Sequence, residues 1–277
     1  MKKLSRHQLA LSNFPYYKYS FRYAADSLQR MGAETIELYA CDPHFHIDDC
    51  GIPEARAVYK QLKDRGIKVG CLTPEQCKYP LNIASQNPVS RKRSLEVYVK
   101  CIQFAVEMDC SLCQLLTGWS VLDEPLEDAW KRSVESMEYL GHIAEGYGVE
   151  IALEVSPRQY ATITNSPTTM QFLKEVGSPA LHGMIDVACM GDDRKEPVAD
   201  AIRVLGKELR HVHFGDGNPG GHLILGDGSL DLEGALNQLA EADYKGLVSL
   251  EIMNGLYEEN PEEAMARSAA WMRERMN

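Results

Sequence analysis

Two histidines, His211 and His213, stand two residues apart in Leu209-Arg210-His211-Val212-His213-Phe214-Gly215-Asp216. The alternation of apolar residues makes this a short strand, in which side chains two apart share a face. Three other segments repeat the pattern. In Glu150-Ile151-Ala152-Leu153-Glu154-Val155 the apolar face is Ile151, Leu153 and Val155, so Ala152 and Glu154 oppose it. In 181–187, Ile185 and Val187 oppose Asp186; in 247–252, Val248, Leu250 and Ile252 oppose Ser249 and Glu251. Glu154, Asp186, His213 and Glu251 therefore fall near the ends of successive strands, all on the face without apolar cover. Three carboxylates gathered away from water repel one another unless a cation lies among them. One imidazole with three carboxylates suits a borderline or hard divalent ion. Mn2+ is expected first, then Co2+, Mg2+ or Zn2+; a structural zinc would favour thiolates. His211 lies one layer deeper, where support is favoured over ligation, and His182 reads as core.

For four strand ends to meet, the strands must belong to one closed or tightly curved sheet. The chain supplies the elements. Strands are expected at 9–14, 35–40, 68–73, 112–117, 150–155, 181–187, 209–214 and 247–252. Helices are expected at 21–31, 54–65, 89–108, 126–147, 166–176, 197–205 and 232–241, with a last one opened by Asn260-Pro261-Glu262-Glu263. Gly32, Gly66, Gly148 and Gly177 stand where helix-ending glycines belong. Ser166-Pro167 reads as an N-cap followed by a first helical proline. Eight alternating units in 277 residues predict the α/β class and a closed (β/α)8 TIM barrel over residues 1–277, undivided by any linker. No Gly-x-Gly-x-x-Gly follows the first strand, which argues against a dinucleotide-binding sheet. The longest loops, 41–53, 74–88 and 216–230, follow strand ends and would surround the mouth of the barrel.

Composition sets the outer bounds. The chain is 44% apolar and 25% charged, with a formal net charge of −11. No basic stripe is visible, so no nucleic-acid partner is expected. No apolar run has the form of a signal peptide or the length of a membrane span, so no membrane partner and a cytoplasmic location are expected. The eight cysteines should then be reduced. Cys110-x-x-Cys113 lacks the second pair of a zinc ribbon, and the pattern favours buried thiols.

The segments Leu153-Glu154-Val155, Met184-Ile185-Asp186-Val187, His211-Val212-His213 with Asp216, Leu225-Gly226-Asp227-Gly228 and Leu250-Glu251 resemble the sugar isomerase/epimerase superfamily of xylose-isomerase-like barrels, in order and along the whole chain. Thr73-Pro74-Glu75, Tyr79-Pro80-Leu81-Asn82 and Ser178-Pro179 are similar to its keto-sugar 3-epimerases of the fructoselysine 3-epimerase type. The resemblance implies that Glu154, Asp186, His213 and Glu251 hold the metal, that Glu154 and Glu251 also form the proton-transfer pair, and that the protein is a homo-oligomer, dimer or tetramer. Three positions depart from the ketohexose epimerases: Cys189 replaces a His, Pro219 an Arg and Tyr160 a Glu. Sugar contacts thus differ while the ligand set is complete.

The expected chemistry is epimerisation at C3 of a keto sugar or keto-sugar adduct. A cation that chelates a carbonyl and its neighbouring hydroxyl stabilises the enediolate, and two flanking carboxylates remove and return the proton on opposite faces. Return of the proton to the adjacent carbon would instead make an aldose–ketose isomerase, and a related sugar lyase uses the same groups. A phosphodiester endonuclease would need further ligands and basic loops; a non-catalytic sugar-binding barrel would not need the intact set. Substrate contacts are expected from Glu37, Trp119, Arg158, Tyr160, Cys189 and His222, with His44 and His46 as loop candidates. The glycines after the seventh strand read as turn residues rather than a phosphate cradle.

Overall fold

The computed structural model describes residues 2–77, 81–156, 160–193, 196–218 and 220–277. Eight parallel strands form a closed barrel in chain order: β1 (Leu9–Ser12), β2 (Thr35–Ala40), β3 (Lys68–Pro74), β4 (Leu112–Leu115), β5 (Glu150–Glu154), β6 (Leu181–Asp186), β7 (Leu209–Phe214) and β8 (Leu247–Leu250). Pairing of Leu9 with Val248 and Ala10 with Ser249 closes the ring. Around it run α1 (Phe21–Arg30), α2 (Ile52–Lys63), α3 (Pro88–Glu107), α4 (Leu126–Tyr147), α5 (Ser166–Val176), α6 (Val187–Asp193), α7 (Val198–Leu205), α8 (Leu232–Glu241) and α9 (Pro261–Arg275). Among the described residues no helix is long and apolar enough to cross a membrane.

Strand alternation divides the interior as expected. The outward set, including Ile151, Leu153, Ile185, Val212, Phe214, Val248 and Leu250, is fully buried against the helices. Inside the barrel Cys71, Leu112, Ala152 and Met184 pack into an apolar floor, and polar side chains stand above it. Two register shifts keep this division intact. Gly183 pairs with Leu209 but Met184 pairs with His211, so Arg210 is the extra residue of β7. That bulge sets Asp186 level with His213 on one face. A second shift passes over Gly70, which sets Glu37 level with Cys71. A Cβ at Gly70 would collide with Leu247 and Thr35, which explains the glycine at this bulge.

Several boundaries differ from expectation. The cap of α5 is Asn165, which accepts from Thr168 N, and Ser166 is already helical. Asn260 opens α9 without a side-chain cap bond. The α6 turn was not foreseen, because it starts directly from the end of β6, where the residues continue a strand-like apolar run. His182 is not core: it is half-buried and pairs with Glu208 at 3.2 Å and Glu150 at 3.5 Å. Cys110 and Cys113 are buried free thiols, and none of the eight cysteines forms a disulfide.

Candidate metal centre at the barrel mouth

Glu154 ends β5, Asp186 ends β6, His213 lies in β7 and Glu251 follows β8. One ligand atom from each lies within 4.8 Å of the others. His213 Nδ1 is 2.8 Å from Glu251 Oε2 and 3.5 Å from Glu154 Oε1. His213 Nδ1 and Glu251 Oε2 are buried and neither has a hydrogen-bond partner. Two buried polar atoms, each without an aligned hydrogen-bond partner, fit a common cation, because leaving them unpaired is costly. The donor set of three carboxylate oxygens and one imidazole nitrogen fits a divalent ion.

The protein holds three of the four candidate ligands by their other polar atoms. Gln114 Nε2 donates to Glu154 Oε2 at 2.6 Å; Gln114 in turn accepts from Gln76 Nε2 at 2.6 Å, and Tyr98 OH donates to Gln76 at 2.7 Å. Asp186 Oδ1 accepts from the backbone of Ala188 at 2.8 Å and Cys189 at 3.2 Å, so it caps α6. His213 Nε2 lies 2.9 Å from Glu37 Oε1, and His211 Nε2 lies 2.8 Å from Glu37 Oε2. Thr73 also donates to Glu37. A carboxylate behind a ligating histidine fixes which ring nitrogen faces the ion and how the ring is turned.

The charges shift one another. Burial pushes the Glu154 carboxyl above its ordinary range, and His213 only partly offsets this. Burial acts on Glu251 in the same sense, but His222 and His213 overcome it and hold Glu251 below its ordinary value. Glu37, though wholly buried, is held well below its ordinary value by His213 and His211. His213 is desolvated as well, yet Glu37 and Glu251 raise it.

Exposure separates roles within the set. The side chains of Glu154 and Glu251 keep 17% and 11% of their surface, against 2% for His213 and 1% for Asp186. Glu154 and Glu251 thus reach the mouth, while the other two are sealed. Beside them, Phe14 stacks on Tyr39 at 4.7 Å and meets the His213 ring edge-on at 5.9 Å. Cys41, Tyr17 and Met253 complete this apolar wall.

The expected substrate contacts are placed as follows. Glu37 is a correction: it is fully buried beneath His213, with both oxygens committed, and does not face the mouth. Cys189 and His222 meet over Asp186. Trp119 and Tyr160 are half-buried in the adjoining loops, with Trp119 bridged to Ala161. His44 is taken up by Asn13 and the Tyr19 carbonyl, and His46 lies 3.6 Å from Asp49. Arg158, Pro219 and the Tyr79-Pro80 pair lie outside the described residues. Sequence reasoning missed Gln114 and Asn13. Gln114 was readable as the polar residue opposing Cys113 and Leu115 on β4. Asn13, which clamps Tyr39 N and O at 2.7 and 2.8 Å, follows β1 and carries no periodic signal.

A closed (β/α)8 barrel with its polar side chains gathered at the C-terminal strand ends places its chemistry at that face. The chain belongs to the xylose isomerase-like TIM barrel family, whose model matches residues 25–275. It is 26% identical over 242 residues to a fructoselysine 3-epimerase of Shigella flexneri, covering 85% of each chain. It is 25% identical over 237 residues to a D-psicose 3-epimerase of Ruminiclostridium cellulolyticum, covering 83% of this chain and 78% of that one. In fold it is similar to the apo 3-keto-D-glucoside 4-epimerase of E. coli, with a TM-score of 0.80 at 18% identity over 96% of this chain and 99% of that one. It is also similar in fold to the D-psicose 3-epimerase of Clostridium cellulolyticum H10 with D-tagatose, with a TM-score of 0.77 at 20% identity over the full length of both.

Proposed function

We propose that this protein is a divalent-metal-dependent epimerase acting at C3 of a keto sugar or keto-sugar adduct. The observation that carries the reading is the pairing of Glu154 and Glu251. They come from β5 and β8, their oxygens converge with Asp186 and His213, and they alone of the four open to the mouth. The 3-epimerase names of the curated relatives agree with it.

Glu154, Asp186, His213 and Glu251 would hold the ion, whose chemistry is Lewis-acid stabilisation of negative charge developing on substrate oxygens. Glu154 and Glu251 act on the carbon next to the carbonyl: one carboxylate takes its proton and the other supplies one to the opposite face, which inverts the centre. Gln114 keeps Glu154 oriented through that exchange, and Glu37 keeps His213 turned toward the ligand set. The Phe14–Tyr39 wall suits the C–H face of a sugar and keeps water from the site.

The test is proton exchange. The Mn2+-loaded protein is incubated in D2O with D-fructose, D-psicose, D-tagatose, L-ribulose and fructoselysine and followed by NMR. Deuterium at C3 together with the C3 epimer supports the reading. Exchange confined to C1 and C2 would make it an isomerase instead. No exchange on any of these by metal-loaded protein overturns it.

A further inference from the structure

Glu154 is reached from the side by a chain of buried polar groups that starts on α3. Tyr98 OH donates to Gln76 Oε1 at 2.7 Å, and Leu116 N donates to the same oxygen at 3.0 Å. Gln76 Nε2 donates to Gln114 Oε1 at 2.6 Å, and Gln114 Nε2 donates to Glu154 Oε2 at 2.6 Å. Tyr98, Gln76 and Gln114 are all buried. A side-chain amide can be turned over to offer either its oxygen or its nitrogen, so the direction of such a chain is set only where a group of fixed character enters it. The Leu116 backbone N–H is that group, because it can only donate. It makes the facing atom of Gln76 the oxygen, which points the Gln76 nitrogen at Gln114 and, in turn, the Gln114 nitrogen at Glu154. We propose that Gln76 is a positioning residue for the Glu154 carboxylate: it fixes the direction of the Gln114 amide, so that Glu154 meets an N–H on Oε2 and keeps Oε1 for the ligand set.

The inference rests on the proposed function for what Glu154 does, and on the hydrogen bonds alone for how it is held. Glu154 Oε1 lies 3.5 Å from His213 Nδ1, among the other ligand atoms. Were Gln114 turned over, its carbonyl would face Glu154 Oε2, and two acceptors at hydrogen-bond distance with no proton between them repel. The carboxylate would then leave the orientation that brings Oε1 to the ligand set. In the dry wall of the barrel a half-satisfied chain is costly, so its members hold one another in a single direction. Three elements contribute: Tyr98 from α3, Gln76 from the loop after β3, and Gln114 from β4. The proton-transfer group on β5 is thus set by a residue one whole side chain removed from it.

Gln76→Glu reverses the chain. The introduced carboxylate offers only acceptors, and the Tyr98 and Leu116 donors favour its charged form. Gln114 must then turn its N–H toward position 76 and its carbonyl toward Glu154. Gln76→Met removes the polar end without adding charge and leaves Gln114 free to turn, whereas Tyr98→Phe keeps the Leu116 donor and hence the direction. Mn2+ affinity is measured by calorimetry on chelator-treated protein, with circular dichroism checking the fold. The expected loss is about 10–100-fold for Gln76→Glu, less for Gln76→Met and least for Tyr98→Phe. With a substrate in hand, Gln76→Glu at saturating Mn2+ should lower kcat far more than it changes KM; an unchanged kcat overturns the proposal. Parent-like affinity in Gln76→Glu overturns it too, as does parent-like affinity in Gln76→Met should Gln76→Glu not fold, or an equal loss in Tyr98→Phe. A parent protein that binds Mn2+ but exchanges no substrate proton overturns the epimerase reading, and the order of affinities then decides the role of Gln76. No Mn2+ binding by the parent overturns both.

Discussion

Glu37 Oε1 lies 2.9 Å from His213 Nε2, and the same carboxylate reaches His211 Nε2 at 2.8 Å. One buried anion thus receives two imidazole N–H donors and leaves Nδ1 of His213 turned toward Glu251 and Glu154. In Glu37→Gln one histidine would face an amide N–H instead of an oxygen. Loss of such a support typically costs 10–100-fold, roughly, in metal affinity. The expectation is a loss of that order in Mn2+ binding by calorimetry, with the circular dichroism of the folded barrel retained. Unchanged affinity would show that Glu37 does not orient the ligand.

Glu154→Gln and Glu251→Gln should each lower kcat by a factor of about 10² to 10⁴, the usual worth of a positioned proton-transfer group. Both residues also belong to the proposed ligand set, so rates are compared at saturating Mn2+. If the two carboxylates serve opposite faces, each variant should lose exchange into one epimer more than into the other. Equal loss from both epimers in both variants would point to a single base.

Asp216 organises the loop that carries His222. Its Oδ1 accepts from Gly217 N at 2.8 Å and Leu230 N at 3.2 Å, and its Oδ2 from Gly226 N at 2.9 Å and Gly228 N at 3.0 Å. A Cβ at Gly228 would collide with the Gly217 carbonyl and with Asp216 itself. Gly228→Ala should cost about 1–3 kcal/mol in urea unfolding, as overpacking does. It should also raise KM for any substrate found. A variant as stable as the parent would mean that the loop relaxes freely.

A pH dependence follows from Asp26, whose carboxyl lies below its ordinary value of 3.8, first because Arg65 hydrogen-bonds it. A carboxyl whose folded pKa is depressed stabilises the fold above its unfolded pKa, and the contribution disappears as pH falls through the folded pKa. Asp26→Asn should therefore melt below the parent at neutral pH, with the gap closing as the medium is acidified past the ordinary carboxylate range. The pair is open to solvent, so the gap should be small and shrink in salt. A gap that widens in acid would reverse the sign of the argument.

Much of the barrel was legible because each strand alternates cleanly. That alternation put Glu154, Asp186, His213 and Glu251 on the inner face, and the structure brings their ligand atoms together. It also set His211 a layer below His213. Depth along a strand was harder to read. Glu37 was expected at the mouth and lies beneath it, because it is the third residue of β2 and stands three residues short of that strand's C-terminal end. Loop residues were least readable. Cys189 depends on a helical turn opened by Asp186, and His222 on a backbone conformation that no periodicity announces.

All four proposed ligands come from β5 to β8 or the residue after it, whereas Asn13, Glu37, Thr73 and Gln114 follow or lie in β1 to β4. One half of the ring carries the proposed reactive groups, and Glu37 and Gln114 of the other half brace two of them from behind. Loops after the bracing half, including the Trp119 segment, carry none of the four proposed ligands. On the proposed function, such a division would let substrate contacts be exchanged on one side of the barrel while the proton-transfer pair is kept on the other.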